Sequence, residues 1–369
     1  MSVLNRCFSF LLFFLVCSSA NAWPPTYGPE FTFTNSSVSK MEDTTAIVYE
    51  LTAKYIEHCK TAIPKCSIVK TLEDGQALKI AYEDGFAFSV TSDNSVIEVQ
   101  AEKGTLAQWK HRASRVQKDI FDFMKANGLQ PDPNGLGGGH IHAGIEETFG
   151  KDTAFFKNYI AHRANNPILD KANGMKTINA PAISDLPGPL IDKFAETVND
   201  FHPEGGLEKL ARKIEDEVYA NKPDLGVPSF DADKLKYNAM NFKHVGKELN
   251  TLETRSRYPQ QSVKDFLQEI TLMEAEFTHV RDLTQKGVQI KVIASNIKAF
   301  NDRLYLFPQA VIKDYRNLVE TMGLGDKWPN YNLSIRKKLF TPVHNINPSK
   351  NCAAESASAI ENVTAPLRA

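Results

Sequence analysis

Glu30, Thr32 and Thr34 alternate with Phe31 and Phe33 along the stretch from Gly28 to Thr34. A period of two predicts a short strand with one polar and one apolar face. Met41 to Cys59 repeats at helical spacing. The chain then reads as strands at Ser67–Thr71, Ala77–Tyr82 with Phe86–Thr91, and Ser95–Ala101. Glu73-Asp74-Gly75 and Glu83-Asp84-Gly85 supply turn chemistry between them. Leu106, Trp109, Ala113, Val116, Ile120 and Phe123 then mark an amphipathic helix, stopped by Asn127-Gly128. A second such series is Val263, Phe266, Ile270, Met273, Phe277 and Val280, the core face of another long helix. Residues 165–235 break the pattern with many prolines and the pair Gly205-Gly206, and predict an insertion on the main sheet or a lid. Two helical stretches sit inside it, near Leu190–Phe201 and Leu207–Ala220. The pattern predicts an α+β domain over residues 23–342 and a polar, disordered tail over 343–369.

The N-terminus has its own pattern. One positive charge, Arg6, precedes the apolar run Phe8–Val16, and Ala20-Asn21-Ala22 forms a small-residue cleavage site. Residues 1–22 therefore read as a secretory signal peptide, with export to a periplasm or the exterior. The apolar run is too short for a stable membrane anchor. Export changes the meaning of the cysteines. Cys7 and Cys17 leave with the signal, and Cys59 and Cys66 close a short loop through Pro64. An oxidising destination predicts a disulfide there, worth about 2.5 kcal/mol by loop entropy, and leaves Cys352 unpaired in the tail. Asn35, Asn332 and Asn362 head glycosylation sequons. Across the 369 residues, 42% are hydrophobic and 24% charged, with Lys+Arg 43 against Asp+Glu 44. That balance excludes collagen-like, wholly disordered and multi-span membrane chains. A formal charge of −1 gives no field for nucleic acid.

Four strings carry candidate chemistry. In Gly135-Leu136-Gly137-Gly138-Gly139-His140-Ile141-His142-Ala143-Gly144, alternation puts His140 and His142 on one strand face and turns Ile141 to the core. The glycines allow a ligand or another backbone to approach closely. In Thr251-Leu252-Glu253-Thr254-Arg255 a carboxylate and a guanidinium share a face. The others are Asp93-Asn94-Ser95-Val96-Ile97-Glu98 and Gly28-Pro29-Glu30-Phe31-Thr32. Alternation from Ser95 groups Glu98 with Val96 and Gln100, so Asp93, Ser95 and Glu98 share one site only if a bulge intervenes.

The order of these strings resembles the glutamine-synthetase-like carboxylate–amine ligases, most closely the amidoligase family. GGGHIHAG is similar to that family's glycine-then-H-x-H signature. SVTSDNSVIEVQAEKGTLAQW is similar to its D-x-S strand and following helix. YNAMNFKHVGKELNTLETRSRYPQQSVKDFLQEI is similar to its alanine–asparagine strand, E-x-R strand and helix. The resemblance spans Tyr27 to Leu283 and is weakest between Asn165 and Lys234. It implies a glutamine-synthetase-like catalytic domain: a curved antiparallel sheet with helices on its convex face and Mg²⁺ and ATP on its concave face. Glu30, Glu98, Glu253 and His140 would bind metal, while His142, Arg255 and Arg257 would contact nucleotide. Glu253, Arg255 and His142 would be catalytic, with Arg255 stabilising the charge on the transferred phosphoryl group. The implied substrates are a small-molecule or peptide carboxylate and an amine, joined through an acyl phosphate.

Two positions depart from the family pattern. Thr32 stands where many relatives have a second acid, and Thr251 where the wider pattern has an arginine. Export also separates the chain from ATP. It implies delivery into an ATP-containing compartment, another phosphoryl donor or none, or a scaffold kept for binding. Two rival readings remain open. A zinc hydrolase would use His140 and His142 with Glu146 or Glu253. A secreted, non-catalytic binding protein would use the insertion for a partner. His111, His162 and His244 are scattered and read as surface or helix residues.

Overall fold

The computed structural model describes residues 23–71, 77–132, 137–172, 180–223 and 235–331. Its frame is a ten-stranded sheet of β1 (Thr26–Thr34), β2 (Cys66–Thr71), β3 (Ala77–Tyr82), β4 (Ala87–Asp93), β5 (Val96–Ala101), β6 (Gly104–Thr105), β7 (Gln130–Pro131), β8 (Ile141–Gly144), β9 (Met240–Asn241) and β10 (Thr251–Thr254). The main order is β2-β3-β4-β5-β1-β8-β10-β9, with β6 and β7 also on β1. The pairings are antiparallel throughout. The sheet is neither closed nor strongly curled. The long helices are α1 (Thr45–Thr61), α2 (Leu106–Val116), α3 (Thr153–Asn165), α4 (Gly188–Asn199), α5 (Leu207–Glu217), α6 (Val263–Gln285), α7 (Ala294–Leu306) and α8 (Pro308–Thr321). The expected α+β class with a large antiparallel sheet is therefore met.

Alternation on β1 sets the two faces. Glu30 pairs with Gln100 and Thr32 with Glu98 on one face, while Phe31 pairs with Val99 and Phe33 with Ile97 on the other. Helices cover the apolar face. Phe31 meets Phe121 and Phe266 edge-on at 5.0 and 5.4 Å, and Trp109 meets Phe266 at 5.0 Å. Trp109 Nε1 also donates to the Tyr27 carbonyl at 2.8 Å, pinning α2 to β1. Burial of such side chains contributes about 1.5–3 kcal/mol each. The predicted core face of α6, from Val263 to Val280, is buried in full.

The helix read from Leu106 onward opens with a capping box between Thr105 and Gln108. It runs through a π-helical stretch, Gln117–Asp122, into a last turn at Phe123–Ala126. The extra residue per turn rotates the buried face, so that Asp119, Ile120 and Phe121 are all enclosed. The helix stops at Gly128, whose φ of 78° glycine adopts without the cost a Cβ would bring.

A tight turn corrects one strand boundary. Ser95 has φ 67° and sits with Asn94 in the hairpin turn, so β5 begins at Val96. Asp93 pairs with Val96 and Thr91 with Glu98, which puts Asp93 and Glu98 on one face without a bulge. Cys59 and Cys66 form the expected disulfide between the end of α1 and the start of β2. Helices α4 and α5 occupy the two helical stretches read inside residues 165–235. The lid reading also involves 173–179 and 224–234, which lie outside the described residues. So do residues 1–22, read as a signal peptide, the expected turn at Glu73-Asp74-Gly75, Asn332, Asn362, Cys352 and residues 343–369. Among the described residues, no helix is long and apolar enough to cross a membrane.

Candidate metal centre

Three neighbouring strands bring the polar strings together. β1 pairs with β8 through Gly28 and His142, and the Glu30 N–H donates to the His140 carbonyl at 2.9 Å. β10 pairs with β8 through Glu253 and His142. Glu30, His140, His142 and Glu253 therefore project from the polar face of adjacent strands.

Their side chains interlock. Glu30 Oε2 lies 2.7 Å from His140 Nδ1, and Glu30 Oε1 lies 2.9 Å from His142 Nε2. His142 Nδ1 lies 3.0 Å from Thr251 Oγ. Glu253 accepts from Arg255 Nη1 through Oε1 and from Asn241 Nδ2 through Oε2, both at 2.5 Å. Glu30, His142 and Glu253 each offer a ligand atom within 4.8 Å of the others, a group able to hold a metal ion. His140 stands behind Glu30, Thr251 behind His142, and Asn241 with Arg255 behind Glu253. Such outer partners orient metal ligands and fix the imidazole tautomer.

Electrostatics follow this wiring. Burial alone would raise Glu30, but the bonds from His140 and His142 hold it well below the usual carboxylate range. Burial likewise pushes Glu253 up, and the Arg255 charge overrides it to leave Glu253 lowered. Burial pushes His142 down, and its bond to Glu30 turns the net shift upward. A divalent cation bound here would replace these hydrogen bonds with coordination by deprotonated ligand atoms. Glu98 sits further along the face, bonded to Gln100 Nε2 at 2.6 Å. Burial and the charge of Glu30 push it up to about 8.

The glycines before His140 act by close approach. A Cβ on Gly138 would fall 1.9 Å from His140 Nε2, and one on Gly139 would fall 2.3 Å from the Tyr258 carbonyl oxygen. The run is therefore packed against the protein itself at these two positions. Gly135 and Leu136 lie outside the described residues.

The structure gathers Glu30, His140, His142, Glu253 and Arg255 into one network and places Glu98 on the same face. The group able to hold an ion contains His142 and Glu253; His140 and the exposed Glu146 are not part of it. Arg257 is fully buried, and the groups that feel its charge include Glu276, Tyr159 and Tyr315 on the helices. Its main chain serves β8 instead: its carbonyl accepts from the Gly139 N–H at 3.1 Å. Sequence reasoning missed His244, which stands with its ring centroid 5.9 Å from that of His142. It arrives on the loop after β9, a placement that no local spacing reveals. Thr251, read as a departure, turns out to hold His142. No family model, curated protein or solved structure matches this chain.

Proposed function

We propose that the polar face is the active site of a divalent-metal- and ATP-dependent carboxylate–amine ligase of the amidoligase kind. The observation that carries the reading is the convergence of Glu30, His142 and Glu253 within 4.8 Å, each held from behind by a polar partner. This is the donor chemistry that the resemblance implies, with one change: His142 offers the ligand nitrogen while His140 orients Glu30. The curved, glutamine-synthetase-like form of the sheet belongs to the same proposal. A bound Mg²⁺ or similar ion supplies neutralisation of phosphate charge. Glu30, His142 and Glu253 would hold it.

In the proposed reaction a substrate carboxylate oxygen attacks the γ-phosphorus of ATP and ADP leaves. An amine then attacks the acyl phosphate carbon, phosphate leaves, and the nitrogen gives up its proton to form the amide. Arg255 lies beside Glu253, and its Nε has no hydrogen-bond partner among the described residues. That free donor is suited to a phosphoryl oxygen. Tyr237 faces the Arg255 guanidinium at 5.7 Å and helps to fix its plane.

The test is a calorimetric titration of Trp23–Ala369 with ATP, with and without Mg²⁺. Magnesium-dependent binding that is lost in His142→Ala supports the ligase. Nucleotide-independent binding of Zn²⁺, with no ATP binding under any metal, moves the site to the hydrolase reading. The same donors favour that second reading to the extent that they include a nitrogen and leave coordination open.

A further inference from the structure

His244 is placed with unusual firmness for a half-exposed loop residue. Phe242 and Val245 on either side of it are fully buried. Phe242 stacks on Tyr219 and meets Phe156 edge-on, so it is anchored between α5's end and α3. Arg212 on α5 donates to the Phe242 and Val245 carbonyls at 2.9 and 2.7 Å. Asn241 Oδ1 accepts from the Lys243 N–H at 2.9 Å, and Asn241 Nδ2 donates to Glu253. The loop is thus clamped from α5 and wired to a ligand carboxylate.

The imidazole held this way stands beside the metal-capable group, outside the 4.8 Å that gathers Glu30, His142 and Glu253, so a turn of its side chain brings it into ligand range. Its ring centroid lies 5.9 Å from that of His142, with planes tilted by 53°. Two imidazoles bound to one ion at about 2.1 Å, at tetrahedral or wider angles, place their centroids roughly 5–6 Å apart. The charges that act on His244 are those of Glu253, His142, Lys243 and Glu30, which include all three members of the group. No hydrogen bond engages either of its ring nitrogens among the described residues.

We propose that His244 is the fourth donor of the Glu30–His142–Glu253 group, and that the completed set selects a borderline transition ion such as Zn²⁺ or Co²⁺ over Mg²⁺. The inference rests on the metal reading of this site and goes beyond it by adding a ligand and an ion class. Two imidazoles and two carboxylates suit such ions, whereas Mg²⁺ wants oxygen ligands and retains its waters. Mg²⁺ still enters the three-residue group when no such ion competes, so the nucleotide test keeps its meaning.

The experiment is a Co²⁺ titration of the intact Trp23–Ala369 protein, followed by visible absorption, with Zn²⁺ and Mg²⁺ as competitors. The expected result is one equivalent bound with an intense d–d band, displaced by Zn²⁺ and not by millimolar Mg²⁺. His244→Ala lowers Co²⁺ affinity at least tenfold and changes the band, while its thermal melt without metal stays that of the wild type. His244→Asp restores much of the affinity with a different spectrum. Unchanged affinity and spectrum in His244→Ala overturn the inference while leaving the three-residue site standing. Failure of the wild type to bind any of the ions overturns both. His142→Ala is the control that ties the signal to this site: it abolishes binding whether or not His244 contributes.

Discussion

Gly139→Ala is a small change with a calculable consequence. The new Cβ would lie 2.3 Å from the Tyr258 carbonyl oxygen and 2.6 Å from Gln260 Nε2. Ordinary heavy-atom contacts lie near 3.5 Å, so one of two backbones must move by about 1 Å. Both are tethered: the Gly139 N–H donates to the Arg257 carbonyl at 3.1 Å, and Gln260 Nε2 donates to the Gly139 carbonyl at 3.0 Å. Overpacking costs about 1–3 kcal/mol, and a weakened buried hydrogen bond adds about 1 kcal/mol. The sum, roughly 2–4 kcal/mol, corresponds to a Tm lowered by roughly 3–6 °C in a chain of this length. Gly138→Ala provides the contrast. Its Cβ would strike a side chain, His140 Nε2 at 1.9 Å, and the ring can swing away. That variant keeps most of its stability but loses the bond from His140 to Glu30, and with it metal affinity. Thermal melts followed by circular dichroism, paired with metal titrations, separate the two. A Gly139→Ala protein that melts within a degree of wild type would refute the packing argument and return the glycine to ligand contact.

Reduction of the Cys59–Cys66 disulfide, or its replacement by Ala at both positions, is expected to lower stability by about 2.5 kcal/mol. Urea midpoints that do not move would contradict this. His162 supplies a pH test away from the metal site. Burial, with the charges of His279 and Arg163, pushes it down to about 3, whereas an unfolded histidine titrates near 6.5. The folded chain therefore refuses a proton that the unfolded chain accepts. Its contribution is intact above pH 6.5 and is lost as pH falls toward the folded value, at up to about 1.4 kcal/mol per pH unit. Between pH 6 and 4 the wild type should lose about 2–3 kcal/mol more than His162→Phe; parallel urea curves would show that His162 takes the proton while folded.

The parts of this fold that were legible in the sequence are those set by local periodicity. Alternation at Glu30–Thr34 gave the polar and apolar faces of β1, and the series from Val263 to Val280 gave the buried stripe of α6. H-x-H put both histidines on one face because a strand turns over at every residue. What failed depended on turns and on distance along the chain. Ser95 looked like a strand residue, but its positive φ made it a turn, and that turn set the face of Asp93. The π-helical stretch shifted the buried face between Gln117 and Asp122 with no sign in the apolar spacing. The roles of His140 and His142 depended on their second partners, Thr251 for His142 and Glu253 for His140, since both reach Glu30. His244 is 102 residues from His142 and reaches it only through the anchoring of Phe242 and Val245 by the helices.

The most direct measurement of the central claim is anomalous diffraction from crystals of Trp23–Ala369 grown or soaked with Mn²⁺. The account predicts a peak bounded by Glu30, His142 and Glu253, with Glu30 still held by His140. A peak at the acidic cleft of Glu42, Asp43 and Asp93 instead, or no protein-bound peak under any metal concentration, would contradict it.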